Sequence, residues 1–391
     1  MSYRSTLYRT IIAIVLLSEL CACGQTDGAD ELNSPADWTI IRGGSSLSGY
    51  TIRRLPDVPT LLWTYRHGVR TVSAPIVYDS IVYICDKNGL VQGIADGGRK
   101  VFDYDLGTQV EASFTVSDGV AYIGRIDGFL TALSLPLADT LWQQETEGQI
   151  SAAPNLLYSD GIGRVLVGSY DGSLYTFDAA TGACIHKVET EYYINGATAL
   201  WHEYAVFGGC DAWLRIVNSM TGEQTDTMKL DAYIPSSPAV WGNEVYVADY
   251  AGNVYEVTIA DGRFVKHRKL IDIDPHADEP DGMVSAPTVS ERSVLVLTAG
   301  RYLTCIDRKS GTTRWQLMLK GDVGECAPLV CRDHVLVCTK TGIVSIVNEA
   351  DGGLLWEYET GEQIIAPPAI LDRRFYVLTA KGTLLCFGDE E

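Results

Sequence analysis

Ser310-Gly311-Thr312-Thr313-Arg314-Trp315 and, forty-one positions on, Asp351-Gly352-Gly353-Leu354-Leu355-Trp356 are two copies of one phrase. Each is a tight turn opening a short strand that carries a Trp. Asp178-Ala179-Ala180-Thr181-Gly182 is the same turn without the Trp. Upstream of these turns lies an alternating strand: Ser173 to Phe177, Asn253 to Val257 and Thr383 to Phe387. Before that comes a more apolar strand, as in Ser80 to Ile84 and Asn243 to Val247. Short β-branched and aromatic runs bounded by Gly, Asp and Asn are how strands and hairpins are written. No stretch beyond the first residues sustains a helical period.

Two independent markers count the copies. A small-x-Pro or related opening to an apolar strand recurs at Pro75, Phe114, Pro154, Thr198, Pro238, Pro287, Pro328 and Pro368, about 39–49 residues apart. The turn into the alternating strand falls at Gly89, Gly128, Gly172, Ala212, Gly252, Arg301, Gly342 and Gly382. The eighth copy stops at Phe387 without its last strand, and Thr60-Leu61-Leu62-Trp63-Thr64-Tyr65 supplies the missing piece from the other end. The expectation is an all-β fold: an eight-bladed β-propeller of four-stranded antiparallel blades, closed by pairing the N- and C-terminal strands. Residues 59–391 form that single domain.

Composition agrees. Gly 38 and Tyr 21 suit many strands and tight turns, and 46% hydrophobic content suffices for a large core. Lys+Arg 30 against Asp+Glu 50 gives a formal charge of −20, which argues against nucleic-acid binding and gives no pull toward anionic lipid.

Residues 1–22 read as a signal peptide, with Arg4 and Arg9 preceding the apolar run Ile11 to Leu17, too short to span a bilayer. Their removal takes Arg4, Arg9 and Glu19 away, so the acidity belongs to the exported body. The junction Leu20-Cys21-Ala22-Cys23 resembles the lipobox of bacterial lipoproteins, which implies lipidation of Cys23; an ordinary secretory cleavage nearby is the alternative. Gly24 after it favours export to the outer membrane, with the membrane reached through the N-terminal lipid only. Residues 23–58 are expected to be a flexible linker with a lead-in.

The phrase Asp-x-x-x-Gly-x-x-x-Trp, with its Ser-Ala-Pro opening, resembles the quinoprotein-type (PQQ-like) propeller repeat over nearly all of the mature chain. Length, lipobox and eight copies together resemble the lipoproteins of that class that assist outer-membrane-protein assembly. The resemblance implies that the repeated Trp docks neighbouring blades, at Trp63, Trp142, Trp315 and Trp356 with Phe102 as an aromatic substitute. His186, Asp226 and Lys266 occupy the place in the third to fifth copies, whose blades should be held together differently. It also implies protein partners, the β-barrel assembly machinery or its unfolded clients. An insertion after the fifth copy carries Asp272, Asp274, His276, Asp278, Glu279 and Asp281. Its carboxylates could collect Ca²⁺, but Ala277 stands where a calcium loop needs Gly, so a solvated, partner-contacting loop is the preferred reading.

No catalytic or cofactor motif is present. There is no His-Glu-x-x-His, Gly-x-Ser-x-Gly, phosphate loop or Cys-x-x-Cys, and the six His are scattered. The enzymes of the quinoprotein class hold a quinone with Ca²⁺; no matching set of Glu, Asn and Asp aligns here, and no cofactor is expected. Eight Cys remain besides Cys21 and Cys23. Strand alternation sets Ala327 opposite Cys338, turns Cys326 to the other side and leaves Cys331 too far to bridge, so free buried thiols are expected. The leading functional reading is a non-enzymatic, membrane-anchored interaction scaffold. A small-molecule or glycan sensor using the central channel, with Tyr192-Tyr193 as a stacking surface, is the alternative, ahead of a quinone-dependent dehydrogenase.

Overall fold

The computed structural model describes residues 37–135, 137–273, 285–298, 301–324 and 326–390. Among these, every strand from Thr60 onward falls into one of eight antiparallel four-stranded sheets. Blade 1 is Ile76–Tyr78, Ile81–Cys85, Leu90–Ala95 and Arg99–Asp105, running from axis to rim; blades 2 to 7 repeat the plan. Blade 8 takes Ala369–Leu371, Arg374–Leu378 and Thr383–Gly388 from the C-terminal end and its outermost strand, Thr60–Arg66, from the N-terminal end. Thr60 pairs with Gly388 and Arg66 with Thr383, so the ring closes by strand pairing as the repeat count requires.

The repeated phrase has one geometry throughout. In every blade the ladder between third and outermost strands carries a β-bulge, as between Cys305 and Ile306 in blade 6. The bulge sharpens the local twist and turns the following residue toward the next blade. The turns between second and third strands all adopt positive φ at the marker residue, including Ala212 (φ 65) and Arg301 (φ 63), where Gly is replaced. Alternate residues of the middle strands pack between blades; Phe177, Phe207, Val247, Leu297, Val337 and Phe387 are at most 1% exposed.

The structure differs from the linker expectation over residues 37–58. This segment runs along the inside of the ring and touches the innermost strand of all eight blades. Trp38 and Val77 exchange two backbone hydrogen bonds at 2.7 and 2.9 Å (blade 1), and the Thr39 carbonyl accepts from Val116 (blade 2). The Ser45 carbonyl accepts from Asn155 Nδ2 (blade 3, 2.7 Å) and from the Leu200 amide (blade 4). Ser46, Ser48 and Gly49 carbonyls accept from Val240, Val289 and Val330 (blades 5 to 7), each within 2.9 Å. Arg53 donates to the Ile370 carbonyl and the Arg54 carbonyl accepts from Arg373 (blade 8). Tyr50–Thr51 even adds a parallel fifth strand to blade 7. Inner strands would otherwise present a circle of unpaired amides, and each such buried donor left open costs about 1–3 kcal/mol. Polar composition suggested a leash, but here small polar residues let a backbone thread a narrow space. Gly43 (φ 87) lies against the Trp38 ring, where a Cβ would come within 2.8 Å. Trp38, Ile40 and Leu47 are buried, and burial lowers the Arg42 guanidinium to about 9.

Candidate partner-docking face

The residues expected to join blades follow the bulges. Trp142 Nε1 donates to the Ala179 carbonyl of blade 3 at 3.0 Å, with Gly182 beneath the indole. Trp315 repeats this on Glu349 O (3.0 Å) and Gly352 of blade 7. Trp63 Nε1 donates to Asp96 Oδ1 of blade 1 at 2.9 Å, and Trp356 packs edge-on against Phe375 and Phe387 of blade 8. Phe102 takes the same ladder place in blade 1, edge-on to Tyr83 of its own sheet. The three blades without the aromatic use polar joints. His186 Nε2 lies 3.0 Å from the Met220 carbonyl, over Gly222, so it imitates the indole. Asp226 accepts from the Phe264 amide at 3.0 Å. In blade 5, Arg268 acts in place of Lys266: it is paired with Glu256 at 2.8 Å and donates to the Arg308 carbonyl of blade 6 at 2.8 Å. Except for Phe102, each of these joints reaches a residue of the neighbouring blade.

Of the predicted partner loop, Asp272 is described and Asp274, His276, Asp278, Glu279 and Asp281 lie outside the described residues. Asp272 and Asp231 both pair with Lys269, at 2.5 and 2.8 Å, which sets the base of the loop beside the crossover leaving blade 4. That crossover belongs to the upper face, where the links between blades meet the turns between second and third strands.

On this face blades 3 to 5 carry an aromatic patch. Tyr170 and Tyr193 stack at 5.0 Å, and Tyr233 and Tyr250 at 4.3 Å, both nearly parallel. Backbone bonds fix the platform: the Tyr250 amide donates to Tyr233 O at 2.9 Å and Cys210 to Tyr193 O at 3.1 Å. Tyr192, Tyr193 and Tyr250 are 57%, 51% and 42% exposed, and Trp213, which opens the third strand of blade 4, is half-buried. Burial, then the bond to Tyr250, pushes the Tyr233 hydroxyl up to about 12, so it stays neutral. Large exposed apolar rings rimmed by Asp231, Glu189 and Glu191 have the composition of a protein interface rather than of a reaction centre. Sequence reading picked out Tyr192 and Tyr193 and missed Tyr170, Tyr233 and Tyr250. The repeat register held the signal: Tyr193 and Tyr233 are forty residues apart, as are Tyr170, Cys210 and Tyr250.

The central channel offers a small molecule little, because the segment from Trp38 to Arg54 occupies it. The reading as a channel sensor thereby loses its site. A polar cleft of about 260 Å³ opens on the lower face, lined by Tyr50, Arg292, Arg332, Asp333 and Glu349 among others. Among the described residues no three His, Cys, Asp or Glu side chains are grouped to hold a metal.

The family described as "Outer membrane protein assembly factor BamB" matches this chain over residues 87–300 and 299–390. The chain is similar to the outer membrane protein assembly factor BamB of Yersinia pestis, 21% identical over 99% of this chain and 100% of the relative. It is 20% identical to that of Shewanella oneidensis over 71% of each. The fold is similar to the crystal structure of BamB from Moraxella catarrhalis, with TM-score 0.70, 18% identity, and coverage of 85% of this chain and 100% of that one. It is also similar to the quinohemoprotein alcohol dehydrogenase of Comamonas testosteroni, with TM-score 0.71, 16% identity, and coverage of 93% and 82%.

Proposed function

The chain belongs to the outer membrane protein assembly factor BamB family, and from that premise we propose that it is a non-enzymatic scaffold for outer-membrane-protein assembly, docking protein partners on the upper face of blades 3 to 5. The observation that carries the reading is the tyrosine patch: exposed rings on a backbone platform fixed by crossovers. Rigid, exposed Tyr and Trp supply contact area at low entropic cost. The partner proposed is a subunit of the β-barrel assembly machinery. The chain reaches the outer membrane through lipid on Cys23 after loss of residues 1–22, and more than one acyl chain makes such an anchor durable. The acidic loop of Asp272, Asp274, His276, Asp278, Glu279 and Asp281 is proposed as a second partner contact, since its base at Asp272 shares Lys269 with Asp231 of the crossover leaving blade 4. The propeller domain is residues 59–391, with the segment from Trp38 to Arg54 as its axial filling.

A photo-crosslinking side chain placed at Tyr192 or Tyr250 should capture a barrel-assembly subunit in intact cells. The same probe at Asp351, on the lower face, should not. Capture from Asp351 with none from the tyrosine positions would sink the assignment of the face. Cys23→Ser should release the chain from membranes.

A further inference from the structure

The crossover from blade 6 to blade 7 brings together two cysteines that strand alternation keeps apart. Cys326 lies two residues before Pro328, and Cys338 ends the second strand of blade 7, His334–Cys338. Strand pairing in this hairpin begins only at Leu329, opposite Leu336, so alternation does not extend back to Cys326. The repeat itself shows where that side chain goes. Ser73 and Cys85 in blade 1, and Ser285 and Leu297 in blade 6, are the equivalent pairs, each also twelve residues apart. Ser73 Oγ donates to the Cys85 carbonyl at 2.8 Å, and Ser285 Oγ accepts from the Leu297 amide at 3.0 Å. The small-x-Pro position therefore sits over the end of the second strand. Blade 7 is the blade in which both places hold Cys. Each is 1% exposed, both are free thiols, and both lie in one apolar cluster with Leu329 and Leu336.

We propose that Cys326 and Cys338 are a disulfide-forming pair that is oxidised when the chain folds in an oxidising compartment, locking the blade 6 to blade 7 crossover onto its hairpin. The setting rests on the proposed export to the outer membrane. Structural disulfides persist in such compartments and stabilise chiefly by constraining the unfolded chain. The oxidant is a protein or low-molecular-weight disulfide. One cysteine thiolate attacks a sulfur of that disulfide, forming a mixed disulfide and expelling a thiolate. The second cysteine thiolate attacks the first cysteine's sulfur, forms the Cys326–Cys338 bond and expels the other oxidant thiolate. The pair loses two electrons and two protons, and the oxidant ends as two thiols. The bond to Cys326, then burial, holds the Cys338 thiol well above its ordinary range, so exchange belongs to the folding phase, before the core closes.

Tryptic cleavage after Lys320, Arg332 and Lys340 separates the partners, since 321–332 contains Cys326 and Cys331 while 333–340 contains Cys338. The chain isolated from the cell envelope, alkylated without reduction, should yield these peptides as one linked species that reduction splits, with Cys331 alkylated. Cys331→Ser should keep the linkage and Cys326→Ser should abolish it. In a parallel arm the purified, denatured chain is refolded in a glutathione redox buffer. Separate, fully alkylated peptides in both arms would overturn the pairing. Linkage on refolding with none in the envelope preparation would support the pairing and overturn the export premise.

Discussion

His186 Nε2 meets the Met220 carbonyl of the next blade at 3.0 Å, where Trp142 and Trp315 place an indole N–H. A ring nitrogen over a glycine turn is thus the common joint, and imidazole serves as its smaller form. His186→Ala should lower stability by about 1–2 kcal/mol through the lost bond and contact. His186→Trp should recover it, because Gly222 leaves the ring its floor as Gly182 does for Trp142. Urea unfolding of both variants tests this; equal midpoints for Ala and Trp would show that the joint is immaterial.

Ala212 and Arg301 stand in left-handed turns where six other blades have Gly. An L-residue there costs roughly 1–2 kcal/mol, offset in part by the roughly 0.5–1 kcal/mol that Gly loses in chain entropy. Ala212→Gly should therefore raise stability by about 0.5–1 kcal/mol, the opposite of most Ala to Gly changes. A lowered thermal midpoint would contradict the turn assignment.

The amides of Val116, Leu200, Val240, Val289 and Val330 donate to the axial segment. They should exchange with solvent as slowly as the core in the intact chain. Gly43→Ala forces a side chain against the Trp38 ring at positive φ and should cost about 1–3 kcal/mol. Hydrogen exchange should quicken at those five amides first. Acceleration confined to the rim strands would refute the axial coupling.

Acid should weaken the rim turns. The Thr181 hydroxyl and amide hold Asp178 below the ordinary carboxylate value of 3.8, and the Ser310 amide and hydroxyl do the same for Asp307. A depressed folded pKa contributes stability that is complete above the unfolded value and is lost as pH falls through the folded one. The Asp178→Asn, Asp307→Asn double variant should flatten the decline in urea midpoint below about pH 4. An unchanged slope would assign acid sensitivity elsewhere.

The blades were legible because each repeats a local grammar: the Gly turn, the alternating strand and the residue after the bulge are set within one hairpin. Even the substituted joints, His186, Asp226 and Lys266, could be located by count, and their ladder places agree with it. What each does instead was not legible, because Arg268 replaces Lys266 through contacts with a different blade. The axial segment escaped for a related reason. Its sequence has no period, and its partners are eight strands scattered over some three hundred residues. The tyrosine patch was half legible, since only the adjacent pair Tyr192-Tyr193 stands out without aligning the repeats. Cys326 was misplaced because alternation was extended past the point where pairing begins.

The axial segment begins and ends at the same mouth of the ring. Asp37 accepts from the Asp79 amide and Asp372 from the Arg54 amide, both at turns of the lower face. Tension on the amino terminus consequently arrives on the side away from the tyrosines. It is borne first at Asp37, which accepts from the Asp79 amide of blade 1 and from Arg53 of the same segment, and then by the paired bonds of Trp38 with Val77. The filling is also a mechanical buffer: its bonds to the inner strands precede in the chain, and so take load before, the seam between Thr60–Arg66 and Thr383–Gly388.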